Sequence, residues 1–156
     1  MENLLPLEKI PLTSFRTARL EDLEDVVQLL HHLGYPMSAR KVHESLAEVL
    51  RDPGIHMELA TSTDDRVIGL MTLRLFPVLR LGGLQLSIEE IVVAPEYRSR
   101  GVGRRLLSYA VSYARQKQVV RLEVLSSKQR ESAKRGFYVK NGFTPVESQV
   151  YRLQMD

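Results

Sequence analysis

The sequence predicts an α/β (α+β) domain in which a mixed, mostly antiparallel central sheet is flanked by helices. Two observations support this class. Segments with a helical apolar period alternate with segments of strand composition, in the order β-αα-βββ-α-β-α-β(β). The apolar content of 44% and the charged content of 26% are ordinary for a globular domain. We expect residues 1–13 to form an N-terminal extension and residues 14–156 to form the domain.

The first predicted elements are a short strand and two helices. "SFRTA" has strand composition, and the following helix ends at Gly34, before Pro36. A second helix begins near Ser38 and stops at Asp52-Pro53-Gly54. Each helix has one apolar face with three- and four-residue spacings, formed by Leu23, Val26, Val27, Leu30 and Leu33 in the first and Val42, Leu46, Val49 and Leu50 in the second.

Three strands and a long helix follow. The strands are "HMELAT", "RVIGLMTLRLF" and "LQLSIEEIVV", separated by turns at "TDD" and at Gly82-Gly83. The helix "RRLLSYAVSYARQK" turns one face inward, with Leu106, Leu107, Ala110, Val111 and Ala114. Four further elements complete the pattern, namely a strand "VRLEVL", a helix closed by Asn141-Gly142, and the strand-like "TPVESQ" and "VYRLQM".

Composition excludes several classes of protein. The absence of cysteine rules out disulfides, thiolate metal sites and cysteine nucleophiles. No run approaches the ~18 apolar residues of a membrane helix, and the first residues lack a secretion signal. We therefore expect a cytoplasmic protein that does not enter a membrane. His31 and His32 are adjacent on a helix and lack a carboxylate partner motif, so no metal site is predicted.

Positive charge is concentrated between residues 98 and 140, which contain twelve Lys and Arg and two acids. Its first part, "RSRGVGRR", is a glycine-containing loop between a strand and a helix. The N-terminus of a helix binds anions through unpaired N–H groups, and glycine lets a ligand approach the backbone. A phosphate ligand, a nucleic-acid backbone and a solvated turn all fit these features.

Two common nucleotide motifs do not fit this loop. No G-x-x-x-x-G-K-[ST] string exists in the chain, so it has no P-loop. A dinucleotide fingerprint needs a third small residue where Leu106 stands.

The pattern that fits is [R/Q]-x-x-G-x-[G/A], formed by Arg98, Gly101 and Gly103. It resembles the pyrophosphate loop of the GNAT family of N-acetyltransferases, which use acetyl-CoA. Residues 88–114, "IEEIVVAPEYRSRGVGRRLLSYAVSYA", and residues 131–143, "ESAKRGFYVKNGF", are similar to two motifs of that family, in the same order. The resemblance covers residues 14–154, and the stretches "LGYP" and "DPGIHMELA" look like those of members that acetylate small molecules. The spacing from Ala133 to Tyr138 is one residue longer than usual, which indicates a shift or bulge near Gly136.

The resemblance implies where acetyl-CoA binds. The backbone N–H groups of the loop would receive its pyrophosphate, and the strand before the loop would splay from its neighbour and hold the pantetheine arm. Val93 N–H would donate to the oxyanion. The implied cofactor-binding residues are Ile91, Val92, Val93, Arg98, Ser99, Arg100, Gly101, Val102, Gly103 and Arg104.

Acetyl transfer to an amine needs a base for the ammonium and a proton for the departing thiolate. The resemblance implies Glu89 as the base, directly or through water, with Glu90 as the alternative. Strand alternation would turn these two acids to opposite faces, so only one would reach a given cleft. Tyr138 is implied as the acid, and core packing beside Phe137 is the alternative role for its ring.

The acceptor is expected to be a primary amine of a small molecule, attacked directly in a ternary complex. Tyr35, Met37 and Phe76-Pro77 are candidate cleft residues. The acidic N-terminal half favours a cationic amine, whereas a phosphonate acceptor would need cations such as Arg74 and Arg80.

Other functions remain open at this stage. The chain could acetylate a protein or peptide amine, sense acetyl-CoA without catalysis, or bind nucleic acid through its basic half. Against nucleic-acid binding, the sequence has neither the recognition helix nor the aromatic platform of nucleic-acid-binding modules. Family members are often dimers, which implies a homodimer here.

Overall fold

Five strands form one mixed sheet in the order in which they occur in the sequence, β1-β2-β3-β4-β5. The computed structural model describes residues 14–156. The strands are β1 (Ser14–Thr17), β2 (Ile55–Thr61), β3 (Val67–Val78), β4 (Gly83–Val93) and β5 (Arg121–Val124). The first four pair antiparallel, and β5 is parallel to β4. The predicted class, with a mixed and mostly antiparallel sheet flanked by helices, is confirmed.

Two helices cover one face of the sheet. Helix α1 (Leu23–Leu33) ends at Gly34, whose φ of 103° is left-handed, and α2 (Ala39–Arg51) begins where the Ser38 hydroxyl accepts a hydrogen bond from the Lys41 N–H. Their apolar faces bury against alternate residues of the strands. This core comprises Val26, Leu29, Val42, Leu46, Met57, Leu59, Leu70 and Val92.

Helix α3 (Val102–Gln116) covers the other face, where it packs on β3 and β4. Leu106, Leu107, Ala110 and Ala114 are buried as predicted, whereas Val111 is only half-buried.

A polar cluster lies between α3 and β2. His56 stacks on Tyr109 and Tyr113, with ring centroids 5.9 and 4.9 Å apart. His56 Nε2 lies 2.8 Å from the Tyr109 hydroxyl and 2.9 Å from Oε2 of the buried Glu58. Burial, and then the Glu58 carboxylate, raise the pKa of Tyr109 to about 12.

The sheet and helices α1 to α3 belong to a structural unit that ends at Leu125, and Ser126–Asp156 form a second unit. The helix predicted at 130–143 is two short helices, α4 (Glu131–Lys134) and α5 (Phe137–Lys140). Gly136, with a left-handed φ of 66°, separates them. The irregularity predicted near Gly136 is therefore confirmed, in the form of a break in the helix.

The prediction of one or two strands in "TPVESQ" and "VYRLQM" is wrong, because residues 143–156 form no regular secondary structure. Alternation of apolar and polar residues indicates which side chains a strand could bury, but a strand also needs a hydrogen-bonded partner. Here the alternating apolar side chains of Tyr151, Leu153 and Met155 stay exposed.

Candidate active site

A β-bulge at Glu89 shapes the centre of the sheet. On β3, Thr72 pairs with Glu90 and Leu73 pairs with Ile88, so Glu89 has no partner there. An extra residue in one strand reverses the alternation of faces beyond it. The side chain of Ile88, opposite Leu73, therefore lies on the face covered by α3. The side chain of Glu90, opposite Thr72, lies on the face covered by α1 and α2.

Both acids line one cavity of about 540 Å³ between α1, α2 and the sheet. The expectation that only one of them could face a given cleft is wrong, because the bulge interrupts the alternation on which it relied. The wall of the cavity is mostly apolar and includes Val26, Leu30, Val42, Leu46, Val49, Met57 and Leu70.

The segment between α1 and α2 contributes further residues to the cavity. Tyr35, Pro36 and Met37 line it, as predicted for Tyr35 and Met37, and all three are exposed. Phe76 and Pro77, the other predicted cleft residues, are not among its described lining residues.

Glu89 and Glu90 differ in their surroundings. Glu89 is exposed, whereas Glu90 is half-buried and its carboxylate accepts a hydrogen bond from the Thr72 side chain. Burial raises the pKa of Glu90, the Thr72 hydrogen bond partly opposes that rise, and the charge of Glu89 adds to it. A carboxylate with a raised pKa is a stronger base for taking a proton from an amine.

The strand segment after the bulge presents backbone groups away from β3. The Ala94 N–H donates to the Ile68 carbonyl oxygen at 2.8 Å. Because hydrogen-bonded and non-bonded pairs alternate along an antiparallel ladder, the N–H and C=O of Val93 and Ile91 point to the opposite side. The pairing of β4 with β5 stops at Ile88 and Val124. Within residues 14–156, no strand partner covers those backbone groups.

Val92 is oriented differently. It pairs with Leu70 in the hydrogen-bonded part of the β3–β4 ladder, and its side chain is buried in the core. Its contribution to a ligand site is to hold the strand in place rather than to offer free backbone groups.

The glycine loop leads directly from this strand into α3. Ser99 has φ 59° and Gly101 has φ 85°, both left-handed, and Gly101 is the N-cap of α3. The first bond within the helix runs from Arg105 N–H to the Gly101 carbonyl. The N–H groups of Val102, Gly103 and Arg104 therefore have no carbonyl partner within the helix, the usual basis of an anion site.

Arg98 is tied to both sides of the loop. Its backbone N–H donates to the Pro95 carbonyl at 3.3 Å, and its side-chain Nε donates to the Val93 carbonyl at 3.0 Å. The Arg98 backbone thus completes a tight turn, and its guanidinium hydrogen-bonds the carbonyl group of Val93, the last residue of β4. The guanidinium of Arg100 lies 5.9 Å from the Tyr97 ring centroid.

Tyr138 lies in the second unit. Its ring meets Phe137 and Phe143 edge to face, at centroid distances of 5.1 and 5.9 Å. Burial raises the pKa of the Tyr138 phenol, and the nearby Arg130 guanidinium partly opposes this. The phenol is therefore protonated at neutral pH, and its ring also packs in an aromatic cluster.

Other predicted features lie away from the cavity. His31 and His32 are exposed at the end of α1, and residues 14–156 contain no cluster of three His, Asp or Glu side chains suited to a metal. Within the same residues, none of the helices has the length and apolar character needed to cross a bilayer.

Two features of the site were not predicted from the sequence. Thr72, a buried polar residue of β3, becomes relevant only through its pairing with Glu90. The bulge has a weak sequence signal, since the alternating run Leu84, Leu86, Ile88 is followed by two acids and then three apolar residues.

Comparison with known proteins identifies the family. The sequence profile of the Acetyltransferase (GNAT) family matches residues 20–143. The chain is 29% identical over 135 residues to the aminoalkylphosphonate N-acetyltransferase of Salmonella typhimurium, covering 86% of each chain. It is 29% identical over 139 residues to the glucosamine 6-phosphate N-acetyltransferase of Trypanosoma brucei brucei, covering 86% of this chain and 91% of that protein.

The fold agrees with the sequence comparison. A crystal structure of an acetyltransferase from Trypanosoma brucei superposes with a TM-score of 0.74 at 29% identity, covering 92% of this chain and 99% of the other. With the family profile covering most of the chain, the protein belongs to the GNAT acetyltransferase family and is an acyltransferase of the N-acetyltransferase type.

Proposed function

We propose that the protein transfers the acetyl group of acetyl-CoA to a primary amine of a small molecule, by direct attack in a ternary complex. The observation that carries this proposal is the bulge, which places two carboxylates on a cavity of ligand size. The same strand then runs without interruption into the glycine loop. A base for the amine and a cradle for the donor are thus joined within residues 89–104, which we assign to an N-acetyltransferase domain spanning 14–156.

Glu89 is the proposed general base. It is exposed at the cavity, where a carboxylate can take a proton from the bound ammonium group directly or through water. Glu90 is the alternative base, supported by its raised pKa. Even if Glu89 accepts the proton, the second carboxylate adds negative charge that favours a cationic amine.

The backbone beyond the bulge is suited to the donor. Acetyl-CoA supplies an activated thioester, a pyrophosphate and a long amide-containing arm. The outward backbone groups of Ile91 and Val93 can pair with the arm, and Val93 N–H can donate to the carbonyl oxygen on which negative charge develops. The N–H groups of Val102, Gly103 and Arg104 at the α3 N-terminus are the proposed pyrophosphate donors, with Ser99, Arg100 and Gly101 forming the turn before them.

Tyr138 is the proposed proton donor to the departing thiolate. Its raised pKa keeps the phenol protonated at neutral pH, as an acid must be.

Cytoplasmic location and a homodimer stay predictions of the sequence.

The proposal is tested by binding and turnover. Acetyl-CoA should raise the melting temperature of the protein, and free CoA should appear when an amine is added. A protein that acetyl-CoA does not stabilise at any concentration would contradict the proposal. Acetylation of peptide amines in preference to small amines would instead support the alternative of a protein substrate, and binding of nucleic acid that weakens steeply with salt would support a nucleic-acid module.

A further inference from the structure

We infer that the acceptor is a primary amine attached to an uncharged, apolar body, such as an arylalkylamine or an alkylamine, and not a phosphorylated or phosphonate amine. This inference rests on the proposed function, because it names the substrate class of the same site. It is carried by the composition and the charge of the cavity wall.

The wall offers apolar surface on three sides. Helix α1 contributes Val26 and Leu30, α2 contributes Leu46 and Val49, and the sheet contributes Met57 and Leu70. Each methylene of a ligand that leaves water against such a wall strengthens binding through the hydrophobic effect. An anionic group would lose its hydration there. The hydroxyl side chains of Tyr35, Ser45 and Thr72 also line the cavity, but no cation among its described lining residues would neutralise the charge.

Charge in the cavity has one sign. The only charged groups among its described lining residues are the carboxylates of Glu89 and Glu90. They attract the ammonium end of a substrate and repel a phosphate or phosphonate group.

The cations suggested for a phosphonate are elsewhere. Arg74 and Arg80 are outside the described lining residues, and the Arg74 guanidinium lies 4.4 Å from the Phe76 ring centroid. The relatives named for aminoalkylphosphonate and glucosamine 6-phosphate act on amines that carry such an anion. This chain keeps their family fold but lines the cavity for a different amine.

A matched pair of substrates tests the inference. Phenylethylamine and aminoethylphosphonate share a two-carbon amine and differ in a phenyl ring against a phosphonate. We expect kcat/KM for phenylethylamine to exceed that for aminoethylphosphonate by about 100-fold or more, because the phosphonate would be desolvated beside two carboxylates and without a cation to pair with. Calorimetric titration of each amine into protein saturated with CoA should give the same order of affinity.

A variant adds one positive charge to the wall. Ser45 lines the cavity and is exposed on α2, so Ser45→Arg adds a cation to the wall at little cost to the fold. It should reduce the preference for phenylethylamine over aminoethylphosphonate by about tenfold, the effect of one new charged contact. His43→Arg is the matched control, because His43 is exposed on the same helix outside the described lining, and the preference should stay unchanged.

The outcomes separate the inference from the proposed function. Equal or better use of aminoethylphosphonate overturns the inference while leaving the acetyltransferase proposal intact. Saturable binding of CoA without measurable binding of phenylethylamine also overturns it. Failure of the proposed function shows differently, as absence of acetyl-CoA binding and of CoA release with every amine, and in that case calorimetry without CoA still decides whether the cavity prefers the apolar amine.

Discussion

Thr72 and Glu90 face each other across the β3–β4 ladder, and the Thr72 side chain hydrogen-bonds the Glu90 carboxylate. Burial still outweighs this hydrogen bond, so the pKa of Glu90 is raised. A raised pKa means that folding favours the protonated acid. The contribution of the protonated Glu90 carboxyl to the stability of the fold is complete below the ordinary pKa of 4.5. It is lost as the pH rises through the pKa of Glu90 in the folded protein.

Replacing Glu90 with Gln should therefore stabilise the protein at pH 7. We expect a gain of about 1 kcal/mol in the free energy of unfolding, typical of removing an unfavourable active-site group. The gain should vanish below pH 4, where the wild-type acid is already neutral. Urea unfolding at pH 7 and at pH 4 measures this, with exposed Glu96→Gln as a control that should change neither value. A less stable Glu90→Gln at pH 7 would contradict the assignment of Glu90 as a half-buried, unfavourable charge.

Replacing Glu89 with Gln should lower turnover and leave donor binding intact. We expect kcat to fall by about 100-fold or more, the usual contribution of a general base, while the affinity for acetyl-CoA stays within about twofold. Steady-state kinetics with phenylethylamine and calorimetry with acetyl-CoA measure the two quantities. If Glu90→Gln lowers kcat and Glu89→Gln does not, the base is Glu90.

Replacing Tyr138 with Phe separates proton donation from packing. The ring contacts with Phe137 and Phe143 survive the change, so stability should remain within about 1 kcal/mol of the wild type. If the phenol protonates the thiolate, kcat should fall by about 100-fold at unchanged acetyl-CoA affinity. Wild-type turnover would leave Tyr138 with a packing role alone.

Replacing Gly101 with Ala tests the cradle. The φ of 85° is left-handed, so a side chain costs about 1 kcal/mol or shifts the loop. We expect the variant to lose about 1 kcal/mol of stability. We also expect it to bind acetyl-CoA at least about fivefold more weakly, because a shift of the loop would displace the N–H groups proposed to bind the pyrophosphate. Gly82→Ala is the matched control, because Gly82 is also left-handed, with φ 63° and open space around it. It should lose stability without losing affinity.

Tyr109 should ionise at a higher pH than an ordinary phenol, whose pKa is 10.0. Its pKa of about 12 means that stability falls as the pH rises from 10 through 12, because folding favours the neutral phenol. The Tyr109→Phe variant should not show the part of this fall in stability that ionisation of Tyr109 causes. Its stability at pH 9 should be lower than that of the wild type, because it loses the hydroxyl contact with His56. Unfolding free energies at pH 9 and pH 11 measure the slope, and exposed Tyr151→Phe should retain the wild-type slope.

The sequence was most informative where one signal decides one element. Gly34 and Ser38 correctly predicted where α1 ends and α2 begins, because caps act within one turn of the helix. The pattern at Arg98, Gly101 and Gly103, together with the similarity of residues 88–114 and 131–143 to two motifs in the same order, predicted the family. Local signals failed where pairing decides the structure. "VYRLQM" alternates like a strand but has no strand partner, and the bulge at Glu89 depends on the register with β3.

The unpaired Glu89 also affects how relatives should be compared. Deleting this one residue would leave the pairs Ile88–Leu73 and Glu90–Thr72 in regular alternation, so the side chain now at position 90 would still face the cavity. An alignment with a relative that lacks the extra residue, and that places the gap at position 88 instead of 89, would therefore equate Glu89, which lines the cavity, with a residue that faces α3. For this protein, assigning equivalent acids in other acetyltransferases requires counting from the glycine loop backwards and locating the extra residue in three dimensions.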